Sequence, residues 1–384
     1  MKIYNLHEPK INKNHFLSIK KILKKNEIST FGSYPEKCGE IIKSLTNSRY
    51  VVLLGTGSSS LLAAFRSIGL KRDDLVITSN YTFIATINSI KISGGEPWVF
   101  DTQKDSYNLD LNLIEETLKN KTYKKKNFFY LKKNHKRIYS ICPVYVNGKL
   151  QDFKRIHKIA KKYNLKIIND CAGSFLTLCK NSDLLKFSDI KISSFNGNKS
   201  PSSGMGGCLI SNNKKYYLYS KNFSNNFSIK KKYLHTDYGF NIRMTNLHSA
   251  LLYSELKSIQ NTIKKKRKIT HYYKNFIKKN KIAKILLPDS KEEILWINKL
   301  IFLKANNAKK MIYFLRMNNI KTDNFWITMD QQPFLKKKIL FEKKYSNNSQ
   351  LFSRKVVPLP SSPFLEKKDI RNISNLINKF LSKI

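Results

Sequence analysis

The chain has 384 residues, 41% of them hydrophobic, including 23 Phe and 20 Tyr; that is enough apolar material for a large packed fold and too much for a disordered chain. Its formal net charge is +46, with 72 Lys and Arg against 26 Asp and Glu, yet the lysines are spread along the chain (20–25, 124–126, 264–266) rather than gathered on one element with interleaved aromatics, which argues for solvated faces and against a nucleic-acid reader. No apolar run nears the roughly 20 residues that cross a bilayer, residues 1–9 lack a signal-peptide core, and five cysteines without CxxC spacing argue against a zinc site or a disulfide framework; the expectation is a cytoplasmic protein with no metal and no membrane partner.

Short apolar, β-rich runs alternate with helical patterns as far as about residue 215. Strands are predicted at 50–54, 75–78, 97–100, 139–146, 165–169, 189–195 and 207–211. Helices are predicted at 58–68, after a Gly-Thr-Gly turn, at 111–118, after Asp110, and at 152–163, where Phe153, Ile156, Ile159 and Ala160 share one face. The lysine-rich stretch 119–137 reads as a solvated loop or hairpin. Strands alternating with helices predict a mostly parallel sheet of seven strands covered on both faces. The texture changes after residue 240. A long helix, whole or broken, is predicted over 246–280, then a strand at 296–303, helices at 308–318 and 367–380, and a turn-rich connection over 357–363. We therefore expect a large α/β domain over 1–245 and a linking helix with a smaller α+β domain over 246–384.

One stretch stands out. Lys199 lies between an apolar strand and a glycine-rich turn, in Ser194-Phe195-Asn196-Gly197-Asn198-Lys199…Gly204-Met205-Gly206-Gly207. A lysine held at the end of a buried strand can lose its proton and act as an amine nucleophile. Three further features share its end of the predicted sheet. Asp170 follows the strand at 165–169 and reads either as a cap or as a carboxylate for a pyridine nitrogen. The turn Gly55-Thr56-Gly57-Ser58-Ser59-Ser60 reads either as a helix cap or as a phosphate cradle. Phe83, after the strand ending near Ser79, reads either as core or as a ring that stacks on a flat ligand. An amine, a carboxylate, an anion cradle and an aromatic ring at one sheet edge are what pyridoxal phosphate (PLP) chemistry requires.

These residues resemble the DegT/DnrJ/EryC1/StrS family of nucleotide-sugar aminotransferases. The resemblance covers nearly the whole chain, through Gly57-Ser58-Ser59-Ser60, Thr82–Thr86, Pro143–Gly148, Ile168-Asn169-Asp170, Ser194–Lys199 and Gly239–Met244. It implies a fold type I PLP-dependent transferase. Lys199 would bind the cofactor through its amine and Asp170 would pair with the ring nitrogen. Phe83 would stack on the ring, and Gly57, Ser58, Ser59 and Ser194 would hold the phosphate. Asn241 would reach the phosphate of a neighbouring subunit, which implies a homodimer with shared sites. His235, Arg243 and Trp326 would touch the substrate. The reaction implied is transfer of an amino group from L-glutamate to C4 of a nucleotide-linked 4-keto-6-deoxy sugar for surface-polysaccharide synthesis. UDP-4-keto-6-deoxy-N-acetylglucosamine comes first, from the similarity to legionaminic acid and bacillosamine pathway enzymes. A GDP-perosamine type of reaction and a non-catalytic, polyanion-binding protein on the same fold are the alternatives. The chain departs from the family pattern at Gly173, where a polar side chain is usual, at Met205, and at Asp323-Asn324-Phe325 before Trp326.

Overall fold

The computed structural model describes residues 2–229, 233–336 and 338–384. Two helices open it, α1 (Lys13–Lys24) and α2 (Tyr34–Thr46). There follow β1 (Tyr50–Leu54), α3 (Gly57–Ser67), β2 (Leu75–Ser79), α4 (Ile84–Ile92), β3 (Glu96–Phe100) and α5 (Leu111–Lys121). Next come β4 (Thr122–Lys125), β5 (Phe128–Leu131), β6 (Arg137–Cys142), α6 (Phe153–Tyr163), β7 (Lys166–Asp170) and α7 (Phe175–Leu178). The first half closes with β8 (Ile190–Ser194), β9 (Gly207–Ser211) and α8 (Lys214–Phe223).

All seven predicted strands lie in one sheet, in the order β1-β9-β8-β7-β6-β2-β3. Neighbours from β8 to β3 are parallel, whereas β9 runs antiparallel to both β1 and β8. Both faces are covered, so the strands read as near-continuous apolar runs. In β2, Val76 faces α3 and α8 with Leu61, Phe65 and Phe223, while Leu75 and Ile77 face α5 and α6 with Ile114, Ile156 and Ile159. That alternation is the two-residue period of a strand. Local capping sets the helix starts: Asp110 accepts from Leu113 N (3.1 Å), and Asp152 accepts from Arg155 N (3.0 Å).

The sheet is larger than the expected seven strands. The stretch 119–137 forms the β4–β5 hairpin, and β5 pairs antiparallel with β6. The predicted strand at 139–146 ends at Cys142, because Pro143 has no N–H to continue a ladder.

The second half contains α9 (Asn246–Lys257), α10 (Ile259–Phe276), β10 (Ala283–Ile285), β11 (Asn298–Phe302), α11 (Ala305–Met317), β12 (Leu340–Glu342), α12 (Asn348–Lys355), β13 (Val356–Leu359) and α13 (Lys367–Leu381). The predicted long helix is two helices that meet at Ser258, whose hydroxyl donates to Ser254 O (3.3 Å) and Glu255 O (3.1 Å); such back-bonding bends helices. The turn-rich reading of 357–363 is corrected, since Val356–Leu359 is a strand beside β11. Pro358 is tolerated because β13 is an edge strand of the sheet β10-β11-β13. A separate core joins Tyr273, Leu300, Met311, Leu315, Leu359, Ile370 and Ile377. The second half also returns to the first: β12 pairs parallel with β3, and Trp98 Nε1 donates to Glu342 (3.2 Å). All five cysteines are free, and among the described residues no helix is long and apolar enough to cross a membrane.

Candidate active site

The carboxyl ends of the parallel strands are where open α/β sheets bind ligands. Here they border a cavity of about 300 Å³ lined by Thr56, Gly57, Ser58, Phe83, Asn147, Asp170, Gly173, Ser194, Lys199, Trp296 and Trp326, among others. Asp170 is the last residue of β7 and is 4% exposed. Thr86 Oγ1 donates to one of its oxygens (2.7 Å) and Ala172 N to the other (3.0 Å). Burial raises its carboxyl above the ordinary 3.8, against the pull of those two bonds and of Lys199. An acceptor buried this deeply and still able to take a charged partner suits a protonated ring nitrogen.

Lys199 lies on the loop from β8 to β9. That loop extends the hairpin: Phe195 N donates to Gly206 O (2.8 Å) and Gly197 N to Gly204 O (2.8 Å). Burial lowers the Lys199 amine to about 8, and Asp170 pulls the other way. Its Nζ stands 3.6 Å from the centre of the Trp296 ring. Met205, the departure in the turn, has its side chain 50% exposed. Its carbonyl accepts from Ser203 Oγ (2.6 Å), so only its backbone takes part in the loop.

The turn after β1 supplies the anion end. Thr56 caps α3 by accepting from Ser59 N (2.9 Å). The amides of Gly57 and Ser58 then have no acceptor within the helix and open on the cavity, at the positive end of its dipole. A Cβ on Gly57 would lie 2.8 Å from Ser194 Cβ, so glycine is what lets α3 begin against the end of β8. Ser58 and Ser194 line the cavity. Ser59 does not: its hydroxyl pairs with Thr56 Oγ1 (2.8 Å), and Thr56 is the lining residue instead.

An aromatic wall closes one side. Phe83, at the head of α4, tilts on Trp326 (centroids 6.0 Å), and Trp326 stacks on Phe325 (4.5 Å). Phe325 meets Trp296 edge-on (5.8 Å). Behind this wall the buried Lys299 holds its Nζ 3.1 Å from the Phe325 ring centre. Asp323 pairs with Arg316 on the surface.

Besides Ser59, three expected site residues are not in the cavity of this chain. His235 and Asn241 are exposed, and Arg243 is half-buried with its guanidinium on Asn241 Oδ1 (3.2 Å) and over the Phe31 ring. Conversely, Trp296 and Asn147 line the cavity and were not singled out as site residues. Asn147 holds the turn after Pro143 with φ 62, accepts from Ile297 N (2.8 Å), and leaves its Nδ2 without a partner. The Asn-Gly pair at 147–148 was the available turn signal; Trp296 carried none, since it lay in a run that read as strand. Among the described residues no group of three or more His, Cys, Asp or Glu side chains could hold a metal ion.

A lysine and a buried carboxylate at the carboxyl ends of such a sheet, with a helix N-terminus between them, define a fold type I PLP-dependent transferase. Residues 9–378 match the DegT/DnrJ/EryC1/StrS aminotransferase family, and the chain belongs to it. It is 26% identical over 387 aligned residues to the GDP-perosamine synthase of Escherichia coli O157:H7, covering 100% of both chains. It is 27% identical to the UDP-4-amino-4,6-dideoxy-N-acetyl-beta-L-altrosamine transaminase of Campylobacter jejuni, over 70% of this chain and 68% of that one. Its fold is similar to that of Helicobacter pylori PseC, an aminotransferase involved in the biosynthesis of pseudoaminic acid, with a TM-score of 0.86, 20% identity and full coverage of both chains. The protein is thus an aminotransferase, and PLP is its cofactor.

Proposed function

We propose that the protein moves an amino group from L-glutamate to C4 of a nucleotide-linked 4-keto-6-deoxy sugar. The observation that carries this is the pairing of Lys199 with Asp170 across one cavity, the amine lowered and the carboxylate hydrogen-bonded and buried. When bound, PLP supplies an aldehyde that accepts the amino group and a ring that draws electrons from the adjacent carbon. The chain's residues do the rest. Asp170, oriented by Thr86 and Ala172, would accept from the ring nitrogen. The Gly57 and Ser58 amides, with Thr56 and Ser194, would hold the phosphate, and Phe83 would cover the ring face. Lys199 Nζ would carry the proton between the two carbons that exchange the amine, as base when neutral and as acid when charged.

The sugar substrate is read from the relatives. The transaminase of Campylobacter jejuni carries a 4-amino-4,6-dideoxy sugar on UDP in its name, which supports the UDP-linked N-acetylated substrate. The second reading, a GDP-linked sugar, is favoured by the full-length match to GDP-perosamine synthase. Turnover with glutamate and a panel of UDP-, GDP- and TDP-linked 4-keto-6-deoxy sugars decides between them. Turnover with none of them, together with polyanion binding that weakens steeply with salt, would overturn the enzymatic reading of the sugar site.

The positions of His235, Asn241 and Arg243 outside the cavity, the first two exposed and the third half-buried, support a homodimer in which each copy completes the other's site. Their neighbourhood presents Tyr238, Phe240 and Phe31 to solvent, side chains that gain by being covered. Mixing subunits tests this: Lys199→Ala and Asn241→Ala chains, inactive alone, should together regain about a quarter of full activity, because half the dimers are mixed and one site in each is intact.

A further inference from the structure

Trp296 is tied in place more firmly than packing alone requires. Its Nε1–H donates to Asn198 O (2.7 Å), the carbonyl next to Lys199. Its own N–H donates to Asn147 O (3.2 Å). Its carbonyl accepts from the buried Lys266 Nζ (2.5 Å), which also donates to Ser361 O (2.7 Å). The indole thus reaches in from the second half of the chain and presents its face to the Lys199 Nζ at 3.6 Å. On another side it lies against Gly173, where a Cβ would come within 3.3 Å of Trp296 Cε3.

We propose that Trp296 is a positioning residue for Lys199: its ring face is the seat on which the amine rests as an ammonium ion, and Gly173 is the small residue that leaves room for that seat. The proposal rests on reading Lys199 as the reactive amine. A cation over an indole face is drawn to the ring's electron density, and the attraction is largest where water is excluded. The seat therefore favours the charged form and opposes the effect of burial. It gives the amine a defined resting place one hydrogen bond away from the loop that carries it. The charged and titratable groups that also face Lys199 are Asp170 on β7, which favours its charge, and His7 near the N-terminus and Lys299 on β11, which feel it as a like charge. The departure at Gly173 then has a physical reason, since a polar side chain there would push the indole off Lys199.

Fluorination of the ring tests this without changing its shape much, because each fluorine withdraws electron density from the face. The chain has three tryptophans, Trp98, Trp296 and Trp326, which can be replaced together by mono-, di- and trifluorotryptophan. The readout is the pH dependence of reductive methylation of Lys199, followed by peptide mass spectrometry in the full cofactor-free chain. The inflection near pH 8 should fall step by step, by about one unit over the series. It should not move with fluorination in Trp296→Phe. Gly173→Ala should lower it by a smaller amount. An inflection indifferent to fluorine, or one that moves equally in Trp296→Phe, overturns the proposal. Should Trp296→Phe fail to fold, a Trp98→Phe/Trp326→Phe chain isolates Trp296 and must keep the whole shift. The measurement uses no cofactor, so a failure of borohydride to fix a pyridoxyl group on Lys199 would overturn only the reading of Lys199.

Discussion

Lys191 and Lys199 stand eight positions apart, one near the start of β8 and one on the loop beyond its end. Burial lowers both amines, to about 7 and about 8. Their surroundings differ in kind. Lys191 is 0% exposed and its Nζ has no hydrogen-bond partner among the described residues. Lys199 opens on a cavity, beside a carboxylate and over an indole. A depressed proton affinity is therefore not in itself a mark of chemistry. What would distinguish a reactive amine is space for a substrate and a group of opposite charge across it, and of the two only Lys199 has both.

The largest expected effect separates the two lysines directly. Lys199→Ala should lower transamination by at least about 1,000-fold, the range expected on losing a proton carrier that also binds the cofactor. Lys191→Met should leave kcat within about twofold; a comparable loss in both would break the contrast. Next comes the partner. Asp170→Asn keeps the shape but cannot hold a ring nitrogen charged, and should cost on the order of 100-fold or more in kcat, with folding intact by circular dichroism.

The third expectation concerns stability. Lys191 refuses a proton in the fold that the unfolded chain accepts below its ordinary pKa of 10.5. As pH falls from there towards about 7, the unfolded state binds more protons and the fold loses stability; below that the loss is constant. Lys191→Met removes the loss. It should stabilise the protein by about 2 kcal/mol or more at pH 7 and by almost nothing above pH 10.5, as read by urea unfolding at both ends. An equal gain at both would mean that packing, not charge, is responsible. Smallest is Ser59→Ala: its hydroxyl pairs with Thr56 rather than facing the cavity, so KM for the substrates should change by less than about threefold.

The sheet and the floor of the site were legible in the sequence because their signals are local. Apolar runs announced the seven strands; Asp170 and Ser194 are the last residues of two of them, and Gly57 and Phe83 follow soon after the ends of two others. The strand β12 is three residues long, and β13 contains a proline, so neither outweighed its turn-like neighbours. Trp296 comes to Lys199 from 97 positions away in sequence, held by Asn147, Asn198 and Lys266, and no local pattern encodes such a meeting. Nor can one chain's pattern show where His235, Asn241 and Arg243 act. In a single copy they lie away from the cavity, His235 and Asn241 exposed and Arg243 half-buried.

The loop that carries Lys199 is sewn at both ends into antiparallel neighbours and cross-stitched by the Phe195–Gly206 and Gly197–Gly204 bonds. For anyone wishing to re-engineer this protein, that makes the stretch from β8 to β9 a fixed-length part. Adding or removing one residue there would turn the amine away from its cavity. The β4–β5 hairpin, whose strands are joined by only two residues at the sheet's margin, offers the contrasting place to graft a tag or a reporter.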